Sequence, residues 1–123
     1  MARILVIDDD VAVRATLCHV LERSGYEIVE AGDGREAIRL LEGIDLIITD
    51  LLMPEVDGVD LLGMLRRDGH TTPVIAMSGG GKVDSKSYLD VARALGAYAT
   101  IAKPFDLDHL LATVRGALAS RGT

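Results

Sequence analysis

Four short apolar runs in this chain each end on a side chain able to do chemistry. ILVI at 4–7 leads into Asp8, Asp9 and Asp10, and LIIT at 46–49 into Asp50. VIAM at 74–77 leads into Ser78, and YATIA at 98–102 into Lys103, with Pro104 and Phe105 behind it. One aspartate in such a place is ordinarily a helix N-cap, and Asp10 suits that role. Carboxylates from two separate runs, a hydroxyl and an amine call for a different account.

If Asp8, Asp9 and Asp50 share a pocket, their like charges repel, and one of them is pushed to hold a proton. One Lys103 ammonium does not balance three carboxylates, whereas a small divalent cation does. Oxygen-only ligands, few in number and leaving room for water, favour Mg²⁺ over metals that prefer thiolate or imidazole. A metal-bound carboxylate facing a lysine and a serine is suited to receiving a phosphoryl group. Asp50 is the expected nucleophile, becoming an acyl phosphate. Mg²⁺, Lys103 and the Ser78 hydroxyl are then the expected partners of the three equatorial oxygens, since such transfer depends mainly on alignment and charge neutralisation.

The elements that must position these groups alternate along the chain. ILVI, EIVEA (27–31), LIIT, VIAM and YATIA read as strands, several of them apolar on both faces, as in a parallel sheet covered by helices. Val13, Leu17, Val20 and Leu21 share one helical face, with Cys18 beside it, and Leu107, Leu110, Leu111, Val114 and Leu118 share another. Residues 34–42, 58–67 and roughly 85–95 supply three more helices. Gly25, Gly43, Gly69 and Gly96 stand where helices stop. Five strand–helix pairs predict a doubly wound α/β domain with its crevice at the carboxyl ends of the strands.

Bulk properties narrow the class. The 123 residues suffice for one domain with a real core, and no linker or repeat marks a second, so residues 1–123 are expected to form a single domain. Although 49% of the residues are hydrophobic, no apolar stretch approaches the roughly 20 needed to span a bilayer. The first residues do not read as a secretory or transit signal. A soluble cytoplasmic protein is therefore expected, with no membrane partner. Nineteen acids against 13 bases give a net charge of −6, which disfavours nucleic-acid binding. A single cysteine suits a reducing compartment.

ILVIDDD, TDLLMPEVDG, the strand-end Ser78 and IAKPF together resemble the signature of two-component response-regulator receiver domains, over essentially the whole chain. The resemblance implies a flavodoxin-like (βα)5 fold with strand order 2-1-3-4-5. It implies that Asp50 accepts a phosphoryl group from a phosphohistidine on a sensor histidine kinase or histidine phosphotransfer protein. Asp9, Asp50 and the backbone carbonyl of Leu52 are then direct Mg²⁺ ligands, with Asp8 acting mostly through water. Pro54, Gly58 and Pro104 support the site, the Lys103–Pro104 bond being expected cis. Signalling runs through a downstream protein. The resemblance also implies a chain that is not an enzyme beyond catalysing its own phosphorylation and dephosphorylation.

Two stretches depart from that pattern. Thr100 stands three residues before Lys103, where many receivers carry an inward-swinging aromatic; Tyr98 has the same strand parity and is expected on the same face. The glycine-rich segment 78–85 reads either as a flexible connection or as a lid that orders over the phosphoryl group. The resemblance implies that the residues two beyond the acceptor and two beyond the hydroxyl influence how fast water removes the phosphoryl group; here they are Leu52 and Gly80, neither able to orient a water, so slow self-dephosphorylation is expected. His19, His70 and His109 read as surface residues, and Phe105 as core filling behind Lys103. Two other functions compete: a receiver fold that docks partners without phosphorylation, and a haloacid-dehalogenase-like phosphatase with its nucleophile after the first strand. The second fits Asp8 and Asp10 but breaks at Ala12 and leaves Asp50 without a role.

Overall fold

The computed structural model describes residues 2–51, 58–79, 85–103 and 105–121. Five strands, β1 (Arg3–Ile7), β2 (Glu27–Ala31), β3 (Leu46–Asp50), β4 (Val74–Gly79) and β5 (Ala99–Lys103), alternate with five helices. The helices are α1 (Val11–Arg23), α2 (Gly34–Ile38), α3 (Gly58–Arg67), α4 (Ser85–Ala94) and α5 (Leu107–Arg121). The strands form one parallel sheet in the order β2-β1-β3-β4-β5, as the resemblance implied.

Alternation along the strands divides the core into two layers. Ile4, Val6, Leu46, Ile48, Ile75, Met77 and Ile101 point to one face, where Leu17, Cys18 and Leu21 of α1 and Leu110, Val114 and Ala117 of α5 cover them. Leu5, Ile7, Ile47, Val74 and Ala76 point to the other, under Ala37, Leu61, Leu62, Leu65 and Ala92. Every residue of β3 is buried, which is why its sequence is apolar without interruption. β2, at the sheet edge, exposes Glu27 and Glu30 instead.

Cys18 sits inside the first layer, and burial, then the nearby Glu30 carboxylate, push its thiol up to about 12. A thiol this hard to ionise is an inert packing group. Asp10 caps α1, its Oδ1 accepting from the backbone N–H groups of Ala12 and Val13 at 3.0 and 3.2 Å. Gly25, Gly69 and Gly96 have positive φ, between 79° and 95°, the left-handed geometry in which glycine ends a helix without strain; Gly43, expected to stop the second helix, has φ 77° in a separate turn five residues past its end.

Three expectations need correction. The second helix stops at Ile38 rather than continuing to residue 42, because the amides of Arg39 and Leu40 bond to the carbonyls three residues back, those of Glu36 and Ala37. That tighter turn does not propagate well. Leu107 is 42% exposed, since it opens α5 at the rim of the sheet instead of lying over it. Tyr98 does not share the face of Thr100. It precedes β5, and its hydroxyl lies over α5, where a Cβ on Gly116 would come within 2.9 Å of it. Thr100 turns to α4, its hydroxyl accepting from Arg93 Nη2 at 3.2 Å.

Candidate functional site

Parallel pairing sets the strand ends level with one another. Ile7 pairs with Thr49, so the next residues, Asp8 and Asp50, stand side by side at the carboxyl edge. Asp50 pairs with Met77, Ser78 with Ala102, and Gly79 with Lys103. Asp8, Asp50 and Lys103, 42 to 95 positions apart in sequence, thus converge on one edge of the sheet.

Asp8 is fully buried and held from four directions. Its amide donates to Ala31 O at 3.2 Å, and its Oδ1 accepts from the Asp10 amide at 2.9 Å. Oδ2 accepts from Lys103 Nζ at 3.1 Å, and its carbonyl from Arg14 Nη1 at 2.6 Å. Asp50 is 7% exposed, and its Oδ2 accepts from the same Lys103 Nζ at 3.2 Å. Lys103 therefore bridges the two buried acids. Burial alone would lower its ammonium, but the Asp50 and then the Asp8 carboxylates outweigh this and hold it above the ordinary lysine value.

Asp9 is exposed, yet carboxylate oxygens of Asp8, Asp9 and Asp50 lie within 4.8 Å of one another. Three acids that close, with one lysine shared by two of them, leave negative charge in excess. An all-oxygen set of this size and charge fits a hard divalent cation such as Mg²⁺. Asp10 takes no part: its carboxylate faces the first turn of α1, which removes the second acid of the dehalogenase-type motif.

The backbone beneath Asp50 is braced. Thr49 Oγ1 donates to Asp50 O at 2.9 Å, and the Leu51 amide to Met77 O at 2.9 Å. The Gly58 amide donates to Leu51 O at 3.1 Å. At Gly58 the start of α3 lies directly on this segment. A Cβ there would collide with the Asp50 carbonyl oxygen and stand 2.8 Å from Leu51 Cα. Gly58 is thus required by close approach, not by its torsion angles.

Ser78 is fully buried, and its Oγ has no hydrogen-bond partner among the described residues. A buried hydroxyl left this way costs about 1–3 kcal/mol, and it sits at the same sheet edge as the acids and Lys103. Thr100 lies three residues before Lys103, engaged by Arg93 on α4. Phe105 is half-buried against the α1–α5 core layer. His19, His70 and His109 are exposed. Leu52, Met53, Pro54, Gly80 and Pro104, and with them most of the segment 78–85, lie outside the described residues. Arg14 is the contributor that the sequence reading passed over. Its one sequence signal is position, a helical turn past the capping Asp10, at the start of the helix that the acidic run leads into.

The family model described as the response regulator receiver domain matches residues 4–115. The transcriptional regulatory protein CpxR of Escherichia coli is 38% identical over 120 residues, covering 96% of this chain and 50% of that protein. The response regulator MprA of Mycolicibacterium vanbaalenii is 38% identical over 119 residues, covering 94% and 50%. This chain spans about half the length of the curated relatives it matches. Among solved structures, a response regulator receiver domain protein from Clostridium thermocellum superposes with a TM-score of 0.91 at 28% identity, covering 99% of this chain and 98% of that one.

Proposed function

The chain belongs to the response regulator receiver domain family, and on that premise we propose that it accepts a phosphoryl group on Asp50 and signals by the resulting change in its surface. The observation that carries this reading is the Lys103 bridge between the two buried acids at the ends of β1 and β3, with Asp9 within reach of both.

In this reading Asp8, Asp9 and Asp50 would hold Mg²⁺. When bound, the ion neutralises charge on the incoming phosphoryl oxygens. Asp50 attacks phosphorus as the bond from phosphorus to the donor nitrogen breaks and its electron pair stays on the donor. β3 keeps the Asp50 carboxylate fixed, so little reorientation precedes attack. Lys103, ammonium throughout the neutral range, supports one equatorial oxygen. The Ser78 hydroxyl, buried without a hydrogen-bond partner among the described residues, supplies a donor for another. The catalysis is confined to the domain's own phosphorylation and dephosphorylation.

The phosphoryl donor is a phosphohistidine on a sensor histidine kinase or histidine phosphotransfer protein. Lys103 also borders an open, mainly apolar groove of about 470 Å³, lined by Ala12, Val13, Thr16, Phe105 and Leu107. A donor protein presenting its imidazole to Asp50 must lie over that rim, where the groove offers it dry contact. The protein that reads the phosphorylated state is a separate or attached effector. No described helix is long and apolar enough to cross a membrane, and we place the relay in the cytoplasm.

Incubation with acetyl phosphate and Mg²⁺, followed by intact mass measurement, tests the chemistry. A single phosphoryl adduct that disappears when the cation is chelated is expected. An adduct of equal yield with chelator present would remove the metal from this account.

A further inference from the structure

We infer that Arg14 is a positioning residue that sets the aim of the Asp9 carboxylate by locking the Asp8–Asp9 peptide; the inference rests on the phosphoacceptor reading of the site. β1 loses its sheet partners at its end. The Asp8 amide still bonds to Ala31 O of β2, but its carbonyl has run past the ladder, and Arg14 Nη1 takes it at 2.6 Å. Because Asp8 is fully buried, that carbonyl has little water to fall back on.

The bond fixes more than a carbonyl. A peptide is planar, so holding the Asp8 oxygen also sets the direction from which the chain enters Asp9. Asp9 itself is exposed, without the burial that clamps Asp8 and Asp50. The direction of its carboxylate therefore depends on the backbone beneath it. Arg14 is itself held at its other end, where Nε donates to Glu30 Oε1 on β2 at 3.1 Å, with only 19% of its side chain exposed. The guanidinium spans α1, the end of β1 and the edge strand, using its rigid fork for two bonds at once.

Charge and geometry predict opposite outcomes for the loss of this side chain. Were Arg14 only a nearby positive charge, its removal would relieve repulsion and Mg²⁺ would bind more tightly. If it positions Asp9, its removal weakens binding even though the site becomes more negative. Groups that orient metal ligands typically change affinity by about 10–100-fold.

The test is a Mg²⁺ titration of wild type, Arg14→Ala and Arg14→Lys, followed through the backbone amide resonances of residues 8–10. Both variants are expected to raise the dissociation constant about tenfold, since lysine keeps the charge but cannot bridge the carbonyl and Glu30. Equal or tighter binding in either folded variant, or full rescue by lysine, overturns the inference. Where Arg14→Ala does not fold, Arg14→Lys carries the test alone: about tenfold weaker binding at unchanged charge is expected, and equal or tighter binding overturns the proposal. A wild-type protein whose amides ignore Mg²⁺ would instead sink the underlying reading of the site, a result separable from the others.

Discussion

Lys103→Ala is expected to slow phosphoryl uptake at Asp50 by about 10²–10³-fold at saturating Mg²⁺, the usual loss when one preorganised donor to a developing charge is removed. The lysine is already in place before any phosphoryl group arrives, held at 3.1 Å from Asp8 and 3.2 Å from Asp50. Its support costs no rearrangement during transfer. Rates of adduct formation by intact mass, at several Mg²⁺ concentrations, separate this effect from weaker cation binding. A rate within threefold of wild type (roughly 0.7 kcal/mol of barrier) would show that Lys103 serves the acids and not the reaction.

The same substitution has a consequence for stability. Without the ammonium, the two buried carboxylates lose the counter-charge they share, which costs about 2 kcal/mol. That is less than for a fully enclosed pair, because the site can take up a proton or a cation. Added Mg²⁺ should therefore stabilise Lys103→Ala more than it stabilises wild type. The folded-state value of Lys103 is raised, so its contribution is complete below the ordinary lysine value of 10.5 and is lost as pH rises through the folded value. Stability due to this residue should be flat across neutral pH. Wild type should lose more stability than Lys103→Met above pH 10.5, as read by alkaline denaturation.

Gly58→Ala is the second large effect, expected to destabilise the fold by about 3 kcal/mol. The added methyl meets the Asp50 carbonyl oxygen and Leu51 Cα, which are backbone atoms of a fully buried strand end and cannot swing aside as a side chain would. Overpacking of this kind costs about 1–3 kcal/mol even where side chains can adapt. For a domain of this size the thermal midpoint should fall by about 10 °C. Relief comes only by moving α3 or the segment after Asp50, so phosphoryl uptake should fall as well. A midpoint within 2 °C of wild type (about 0.5 kcal/mol) would mean that the close approach relaxes freely.

Much of this architecture is readable along the chain because the sheet is doubly covered. The central strands must be apolar on both faces, so ILVI and LIIT stand out as uninterrupted runs. The acids and lysine that break such runs mark the carboxyl edge by themselves. Helix ends are equally plain where positive φ is needed, as at Gly25, Gly69 and Gly96. Other features depend on partners distant in sequence. Nothing in GREAIRLLE distinguishes an α-helix from one that tightens into three-residue turns after Ile38. Strand parity misplaces Tyr98, because the strand begins only at Ala99 and parity does not apply before it. The clustered acids declare themselves by type, but Arg14 reaches the site through a backbone carbonyl, and a carbonyl carries no sequence signal. Likewise, the closeness of Gly58 to Asp50 emerges only once α3 is docked.

The most direct measurement is phosphoryl incorporation from acetyl phosphate with Mg²⁺ into wild type, Asp50→Asn and Asp9→Asn, each read by intact mass. One adduct on wild type, none on Asp50→Asn, and a slowed but detectable adduct on Asp9→Asn is the predicted pattern. An adduct that persists on Asp50→Asn, or a wild-type protein that takes up nothing while folded and bound to Mg²⁺, would contradict the claim that Asp50 is the acceptor.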